Sequence, residues 1–206
     1  LVATGARVFA GHTAARAEEI LSAAEAGLTG LTHLWNAMSQ LAGRAPGAVG
    51  AALTHPALMA GIIADGVHVH PLNLGLAARV MAGRLFLVTD AMATLDAPDC
   101  RFAIGGVPIR RNGDRLVSPG GTLAGAQLAM DGAVRGIVRH ASVTPEAALD
   151  MASGVPARAM GLQDRLGLIA PGRAADLTCL TQDLRALAVM VRGDWAAPGA
   201  TDARPA

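Results

Sequence analysis

Short apolar runs alternate with helix-like stretches over the first ninety residues of the chain. Four runs have the length and composition of buried β-strands: Arg7–Gly11, Leu28–Thr32, Leu58–Ala64 and Leu85–Thr89. Two stretches, Ala14–Ala26 and Leu72–Ala82, have helical composition and end at a glycine, and Thr13 is placed to cap the first of them. Strands that alternate with helices predict parallel βα units and therefore an α/β fold.

The pattern changes near residue 100 and again after residue 165. Short β segments around the turn Asn112-Gly113 predict an insertion near residues 100–120, whereas Ser39–Gly50 is predicted to be a loop. Helices at Gln127–His140 and Pro145–Ser153 complete a first unit, residues 1–165. A second unit, residues 166–195, contains two predicted strands, and the Ala/Pro/Gly-rich residues 196–206 are predicted to be a disordered tail.

Composition narrows the functional classes. The 206 residues are 52% hydrophobic but only 2% aromatic, and their formal net charge is +1 without a basic run. These values favour a packed domain and argue against a nucleic-acid or membrane partner, whereas a small anionic ligand stays possible. Two distant cysteines, Cys100 and Cys179, form no disulfide framework, so a cytoplasmic location is expected.

Polar side chains follow each of the four predicted strands. His12 follows the first strand, His33 the second, Asp65 and His68 the third, and Asp90 the fourth. In a (β/α)₈ barrel the carboxyl ends of the strands carry the catalytic groups. Two imidazoles there can ligate one metal ion, and a carboxylate can act on its bound water. A single histidine at such a position is more often a structural residue, so the residues alone leave both interpretations open.

The same positions lie in motifs that resemble a known family. The motifs are A-G-H-T at Ala10–Thr13, T-H-L-W-N-A-M at Thr32–Met38, G-R at Gly43-Arg44, I-I-A-D-G-V-H-V at Ile62–Val69, L-V-T-D-A at Leu87–Ala91, G-G-T-L-A-G at Gly120–Gly125 and G-L-I-A-P-G-R-A-A-D-L at Gly167–Leu177. In order and spacing they resemble the N-acetylglucosamine-6-phosphate deacetylases of the amidohydrolase superfamily over nearly the whole chain. The second motif with its trailing Gly-Arg is the most specific.

The resemblance implies a fold and an extent. The fold would be a partial (β/α)₈ barrel of the TIM type, with residues 1–165 as its C-terminal half and residues 166–195 as the last strands of a small β-sandwich domain. Family members carry a further carboxylate ligand on an earlier strand, which this sequence does not contain. The chain is therefore expected to be the C-terminal half of a longer enzyme and to fold poorly alone, because its sheet edges would lack partners.

The resemblance also implies residue roles. His12 and His33 would bind a divalent metal, with zinc expected, and Asp90 would be the catalytic aspartate that transfers protons. His68 would contact the substrate near the acetyl carbonyl, and Arg44 would bind the phosphate, in this family from the neighbouring subunit of a homodimer. The remaining substrate-binding positions would be Asn36, Ala37, Leu123, Ala124 and Gly125.

The implied activity is metal-dependent hydrolysis of the acetamide of N-acetylglucosamine 6-phosphate, a small phosphosugar, to glucosamine 6-phosphate and acetate. One alternative is another amidohydrolase that acts on a different N-acyl substrate, for which Arg44 would have no evident use. A second alternative is an inactive fragment that serves only as an interaction module.

Overall fold

One sheet of four parallel strands organises the first half of the chain. A computed structural model describes residues 1–95, 97, 101–113 and 115–196. The strands are β1 (Phe9–Ala10), β2 (Gly30–Leu31), β3 (Met59–Ile62) and β4 (Leu85–Leu87). They pair in chain order, and every pair is parallel. Successive βα units in a barrel produce this order, so the predicted α/β class and its parallel strands are confirmed.

Six α-helices accompany the strands in the described residues. They are α1 (Ala17–Glu25), α2 (Gly47–Thr54), α3 (Pro71–Val80), α4 (Met130–Ala141), α5 (Pro145–Ala152) and α6 (Gly154–Ala159), and a short 3₁₀ turn spans Val2–Thr4. Proline occupies the first helical position of α3 and of α5, where its missing N–H costs nothing. The Thr144 hydroxyl caps α5 by accepting from the Ala147 N–H at 3.3 Å.

Two sequence predictions about these helices are wrong. The first helix begins at Ala17 rather than Ala14, because the Glu19 carboxylate accepts the Arg16 N–H at 2.7 Å and so fixes the helix start there. Thr13, the predicted cap, instead accepts the Ala15 N–H within the preceding loop. The predicted loop Ser39–Gly50 runs into α2. All seven residues 47–53 of α2 are buried, so this helix has no polar face and no amphipathic period to reveal it.

An antiparallel sheet follows β4. Its strands are β5 (Arg101–Ile104), β6 (Val107–Asn112), β7 (Arg115–Val117) and β8 (Leu123–Ala126), as the β pattern near residues 100–120 predicts. At its far end Ala126 forms a parallel bridge with Ala91, just beyond β4. The chain therefore leaves the parallel sheet, forms the insertion and returns beside the strand that it left.

Three antiparallel strands, β9 (Leu177–Leu180), β10 (Ala186–Val191) and β11 (Asp194–Trp195), form the C-terminal sheet. Asp131 and Arg135 of α4 attach it: the Asp131 carboxylate accepts the Ala186 N–H at 3.2 Å, and Arg135 donates to the Leu184 carbonyl at 2.9 Å. Burial alone raises the pKa of Asp131, but hydrogen bonds from Arg135 and from backbone N–H groups outweigh burial and lower it.

The predicted boundary at residue 165 stays a prediction. Cys100 and residues 197–206 of the predicted tail lie outside the described residues, whereas Cys179 is a free thiol. No helix in the described part of the chain is both long and apolar enough to cross a bilayer.

The main core lies between the parallel sheet and its helices. Its largest fully buried side chains include Leu31, Leu34, Ile62, Ile63, Leu74, Met81, Leu85 and Ile137. Arg84 connects α2 and α3 at the edge of the core. Its guanidinium donates to the backbone carbonyl of His55, directly after α2, at 2.9 Å and to that of Val80, at the end of α3, at 3.3 Å. The carbonyls in the last turns of α2 and α3 are among those that a helix end leaves without partners.

Candidate active site

The parallel sheet brings the predicted site residues to one edge. His12 follows β1, His33 follows β2, His68 lies in the loop after β3, and Asp90 follows β4. Because all four strands are parallel, these residues share the carboxyl edge of the sheet. Neighbouring strands are about 4.8 Å apart, so the backbones of β2 and β4 are separated by roughly 10 Å. Side chains from all four positions can therefore face one substrate-sized region.

His12 and His33 are in direct contact. Their ring centroids are 4.8 Å apart and their planes meet edge to face at 79°. His33 is buried, with 7% of its surface exposed, and its Nδ1 has no hydrogen-bond partner among the described residues. His12 is exposed. Two adjacent imidazoles, one with a buried nitrogen that lacks a partner, suit a divalent metal ion as two of its ligands.

Gly11 allows this approach. A Cβ at residue 11 would overlap the Cγ2 methyl of Thr32 and lie 3.4 Å from Cε1 of the His33 ring. A residue with a side chain would therefore displace the Thr32 methyl directly before His33, whereas the His33 ring itself lies at ordinary contact distance. The described residues contain no group of three or more His, Cys, Asp or Glu side chains that could hold a metal ion. Catalytic zinc normally has three protein ligands, so the two histidines fit as part of such a set.

The backbone at the site is unusual. His12, His33, Ala37 and Asp90 adopt positive φ angles of 47°, 27°, 49° and 49°. Side-chain-bearing residues rarely adopt this region, and such residues concentrate at functional sites. Hydrogen bonds between loops hold them there: the Thr13 N–H donates to the Ala37 carbonyl at 2.9 Å.

Asp90 lies beside the returning insertion strand. Its side chain is exposed, and its backbone carbonyl accepts the Ala126 N–H at 2.8 Å. The predicted sugar-pocket residues Leu123, Ala124 and Gly125 form strand β8, whose end lies beside Asp90. Gly125 has a φ of 75°, and a Cβ there would lie 3.2 Å from the Asp90 carbonyl oxygen and would overlap Met92.

His68 is paired with Asp65. The distance from His68 Nδ1 to Asp65 Oδ2 is 2.7 Å, and Asp65 Oδ1 accepts the N–H groups of Val67 and His68 at 2.8 and 2.9 Å. The sequence pattern alone gave Asp65 no role in the chemistry. The spacing D-x-x-H was the available signal for the pair, because it places a carboxylate within reach of a ring three residues later.

A second polar pair, between the buried Thr94 and the half-buried Gln127, was missed entirely. The Thr94 hydroxyl donates to Gln127 Oε1 at 2.8 Å, and Gln127 Nε2 donates to the Thr94 carbonyl at 2.6 Å. These bonds join the segment after Asp90 to the end of β8. Nothing in the local sequence indicates a pairing across 33 residues.

The predicted phosphosugar residues lie in the loop after β2. Asn36 turns back on this loop, where its Nδ2 donates to the His33 and Leu34 carbonyls at 3.3 Å each. Ala37 is exposed and borders a shallow depression whose other lining residues are His12, Thr13, Ala14, Met38 and Ser39. Arg44 is exposed in the turn bridged by Ala42 and Ala45 and does not line this depression.

A parallel βα sheet in chain order with polar groups collected at its carboxyl edge is the arrangement found in part of a (β/α)₈ barrel. The model of the amidohydrolase family matches residues 6–196, and the chain belongs to that family.

Similar proteins of known name narrow the match from the whole family to deacetylases of phosphorylated amino sugars. The chain is 38% identical over 190 residues to an N-acetylgalactosamine-6-phosphate deacetylase of Escherichia coli O157:H7, covering 92% of this chain and 50% of the relative. It is 35% identical over 204 residues to an N-acetylglucosamine-6-phosphate deacetylase of Vibrio furnissii, covering 99% and 51%.

Solved structures agree with these sequence matches. The chain superimposes on the N-acetylglucosamine-6-phosphate deacetylase of Pasteurella multocida with a TM-score of 0.92 and 36% identity, covering 96% of this chain and 52% of that one. A mutant of the Mycobacterium smegmatis enzyme, in complex with N-acetyl-D-glucosamine 6-phosphate, matches with a TM-score of 0.85. The chain spans about half the length of these relatives. The resemblance inferred from the motifs is confirmed.

Proposed function

We propose that this chain forms the part of a deacetylase that hydrolyses the acetamide of N-acetylglucosamine 6-phosphate to glucosamine 6-phosphate and acetate. The observation that carries the proposal is the contact between the His12 and His33 rings at a sheet edge that also holds Asp90. Relatives that are named as deacetylases of phosphorylated amino sugars support the substrate class.

His12 and His33 would hold a divalent metal ion, with zinc as the proposed ion. When bound, such an ion supplies a Lewis acid that activates water and polarises the amide carbonyl. The exposed Asp90 carboxylate is the proposed proton carrier: it accepts a proton from the attacking water and delivers it to the departing amine. The amide nitrogen is a poor leaving group until it is protonated, so this second transfer is as necessary as the first.

Substrate contacts are proposed on both sides of the histidines. The His68 ring contacts the substrate near its acetyl carbonyl, Asn36 and Ala37 meet the phosphosugar, and the β8 residues Leu123, Ala124 and Gly125 line the sugar pocket. The exposed Arg44 guanidinium can bind a 6-phosphate through paired hydrogen bonds. Arg44 lies away from the depression beside His12, which fits a contact made to the site of a second subunit in a cytoplasmic homodimer.

A second candidate substrate is N-acetylgalactosamine 6-phosphate. Relatives with this activity in their names are 38% and 41% identical to the chain, whereas the Vibrio furnissii relative named for the gluco sugar is 35% identical. The two sugars differ only in the configuration at C4, so the metal and proton chemistry would be unchanged.

The test measures acetate release by the protein at its natural length. Substrates are the gluco and galacto 6-phosphates and unphosphorylated N-acetylglucosamine, each with added zinc and after chelation. We expect zinc-dependent release from a phosphorylated sugar and a large loss with Asp90→Asn, but none with the control Asp164→Asn, an exposed carboxylate outside the site. Arg44→Ala should raise KM for the phosphosugar only. Equal rates with Asp90→Asn and wild type would refute the proposed role.

A further inference from the structure

Among the described residues, the Asp65 carboxylate finds all of its hydrogen-bond partners within its own loop. One oxygen accepts the N–H groups of Val67 and His68, and the other lies 2.7 Å from His68 Nδ1. His140 of α4 backs the loop, since a Cβ at Gly66 would lie 2.8 Å from its Nε2. Helix α4 is therefore in contact with the loop that carries His68.

The two ring nitrogens of His68 differ: Nδ1 is paired with Asp65, and Nε2 lacks a partner among the described residues. Only 4% of its side chain is exposed, and Nε2 is buried without a hydrogen-bond partner among the described residues. An unpaired buried imidazole nitrogen is costly unless a ligand completes it. The loop lies at the carboxyl edge of the sheet, between the ends of β2 and β4, where the proposed substrate binds.

A carboxylate can only accept hydrogen bonds, so His68 Nδ1 carries the proton that lies between them. Burial by itself raises the pKa of Asp65, but hydrogen bonds from the His68 side chain and from the N–H groups of His68 and Val67 outweigh burial and lower it. Asp65 is therefore a carboxylate at neutral pH. When His68 donates a hydrogen bond from Nε2, its ring carries both protons, and Asp65 lies where it offsets that charge.

We propose that Asp65 is a positioning residue that fixes the orientation and protonation of His68, so that Nε2 is the atom presented to an oxygen of the phosphosugar. This inference rests on the proposed deacetylase function. It assigns Asp65 a role in turnover beyond holding the loop.

Asp65→Asn separates the role of Asp65 in holding the loop from its role in setting the protonation of His68. The amide oxygen of asparagine can keep both backbone hydrogen bonds, which puts its NH₂ group against His68 Nδ1. That nitrogen must then accept, and the neutral ring carries its proton on Nε2. Asp65→Ala removes both roles. Asp131→Asn is a matched control, because Asp131 likewise accepts backbone N–H groups and pairs with a side chain, Arg135, outside the site.

The zinc-loaded protein at its natural length is used for two measurements. The ¹⁵N chemical shifts of the ring, assigned with His68→Gln, should show a protonated Nδ1 in wild type and a proton on Nε2 only in Asp65→Asn. Steady-state acetate release should show kcat about 10- to 100-fold lower in Asp65→Asn, with KM changed less than about threefold. Asp131→Asn should lower the melting temperature and leave kcat within about twofold, and Asp65→Glu should recover part of the loss.

A wild-type ring with an unprotonated Nδ1, or an Asp65→Asn variant with wild-type kcat, would overturn the inference. A fall in kcat that Asp131→Asn reproduces would also overturn it, because it would reflect stability alone. If wild type releases no acetate from any phosphosugar, the proposed function fails, and the ¹⁵N measurement still decides whether Asp65 sets the protonation of His68.

Discussion

Helix α4 lies so close to the parallel sheet that one position tolerates no side chain. A Cβ on Gly136 would overlap the carbonyl oxygen of Ala64 and lie 2.9 Å from its carbonyl carbon. Gly132, one turn earlier on the same helix, offers a matched comparison. A Cβ there would lie 3.2 Å from Leu128 Cδ1 and 3.7 Å from Arg135 Nη2, which are the movable ends of flexible side chains. The substitutions Gly136→Ala and Gly132→Ala therefore change the same helix in the same way but meet different surroundings.

The expected free energies follow from two opposing terms. Alanine in a helix interior is favoured over glycine by about 0.8–1 kcal/mol, and both variants gain this term. Overpacking against a rigid backbone costs about 1–3 kcal/mol, and only Gly136→Ala incurs it in full. We expect Gly132→Ala to be neutral or more stable by up to about 1 kcal/mol and Gly136→Ala to lose up to about 2 kcal/mol. Because both variants gain the helix term, they differ by the overpacking cost of about 1–3 kcal/mol, so for a chain of this length the two melting temperatures should differ by about 2–12 °C.

Urea unfolding followed by far-ultraviolet circular dichroism measures the difference as a shift in midpoint at constant slope. Ala64 directly precedes Asp65, so a displaced carbonyl should also disturb the His68 loop, and Gly136→Ala should lose more acetate release than its stability predicts. Equal midpoints for the two variants would show that α4 adjusts freely over the sheet and that the close approach at Gly136 carries no energetic weight.

Three further perturbations test other contacts. Arg84→Ala should lower the free energy of unfolding by about 2–4 kcal/mol, because several backbone carbonyls lose a charged donor. Arg84→Lys should recover about half of this loss in the same urea assay. An Arg84→Ala variant with the stability of wild type would contradict the observed hydrogen bonds. The folded-state pKa of Asp131 is lowered, so its stabilisation should be complete above pH about 4 and disappear as the pH falls through the folded-state value. Melting curves from pH 2 to 6 should therefore converge with those of Asp131→Asn at the acid end, and a constant difference would refute this linkage. Gly11→Ala should overlap the Thr32 methyl, displace the neighbouring His33 and weaken zinc binding about tenfold or more in competition with a chelating dye, whereas the open position Gly43 should accept alanine without effect.

The strand order and the site edge could be predicted from the sequence because both depend on local pattern. Short apolar runs followed by a polar residue mark a parallel strand and its carboxyl end, and four of them in succession place His12, His33, His68 and Asp90 on one edge. Helix α2 could not be predicted in this way. A helix that is buried on every side has no polar face, so its sequence matches a buried strand or an apolar loop equally well.

The backbone of the site depends on contacts that no local pattern contains. Histidine and aspartate at positive φ each cost of order 1–3 kcal/mol, and nothing near His12, His33 or Asp90 in the sequence favours that conformation. The compensation comes from other loops: the Asp90 carbonyl accepts from Ala126, 36 residues later, and Thr13 pairs with the loop after β2. The insertion between β4 and β8 therefore has a structural role at the site, because the strand that returns from it forms the hydrogen bond that holds Asp90 in its strained conformation. A shortened insertion that still restored β8 beside Ala91 should keep the proposed proton carrier in place, whereas one that displaced β8 should release it even though every site residue remained.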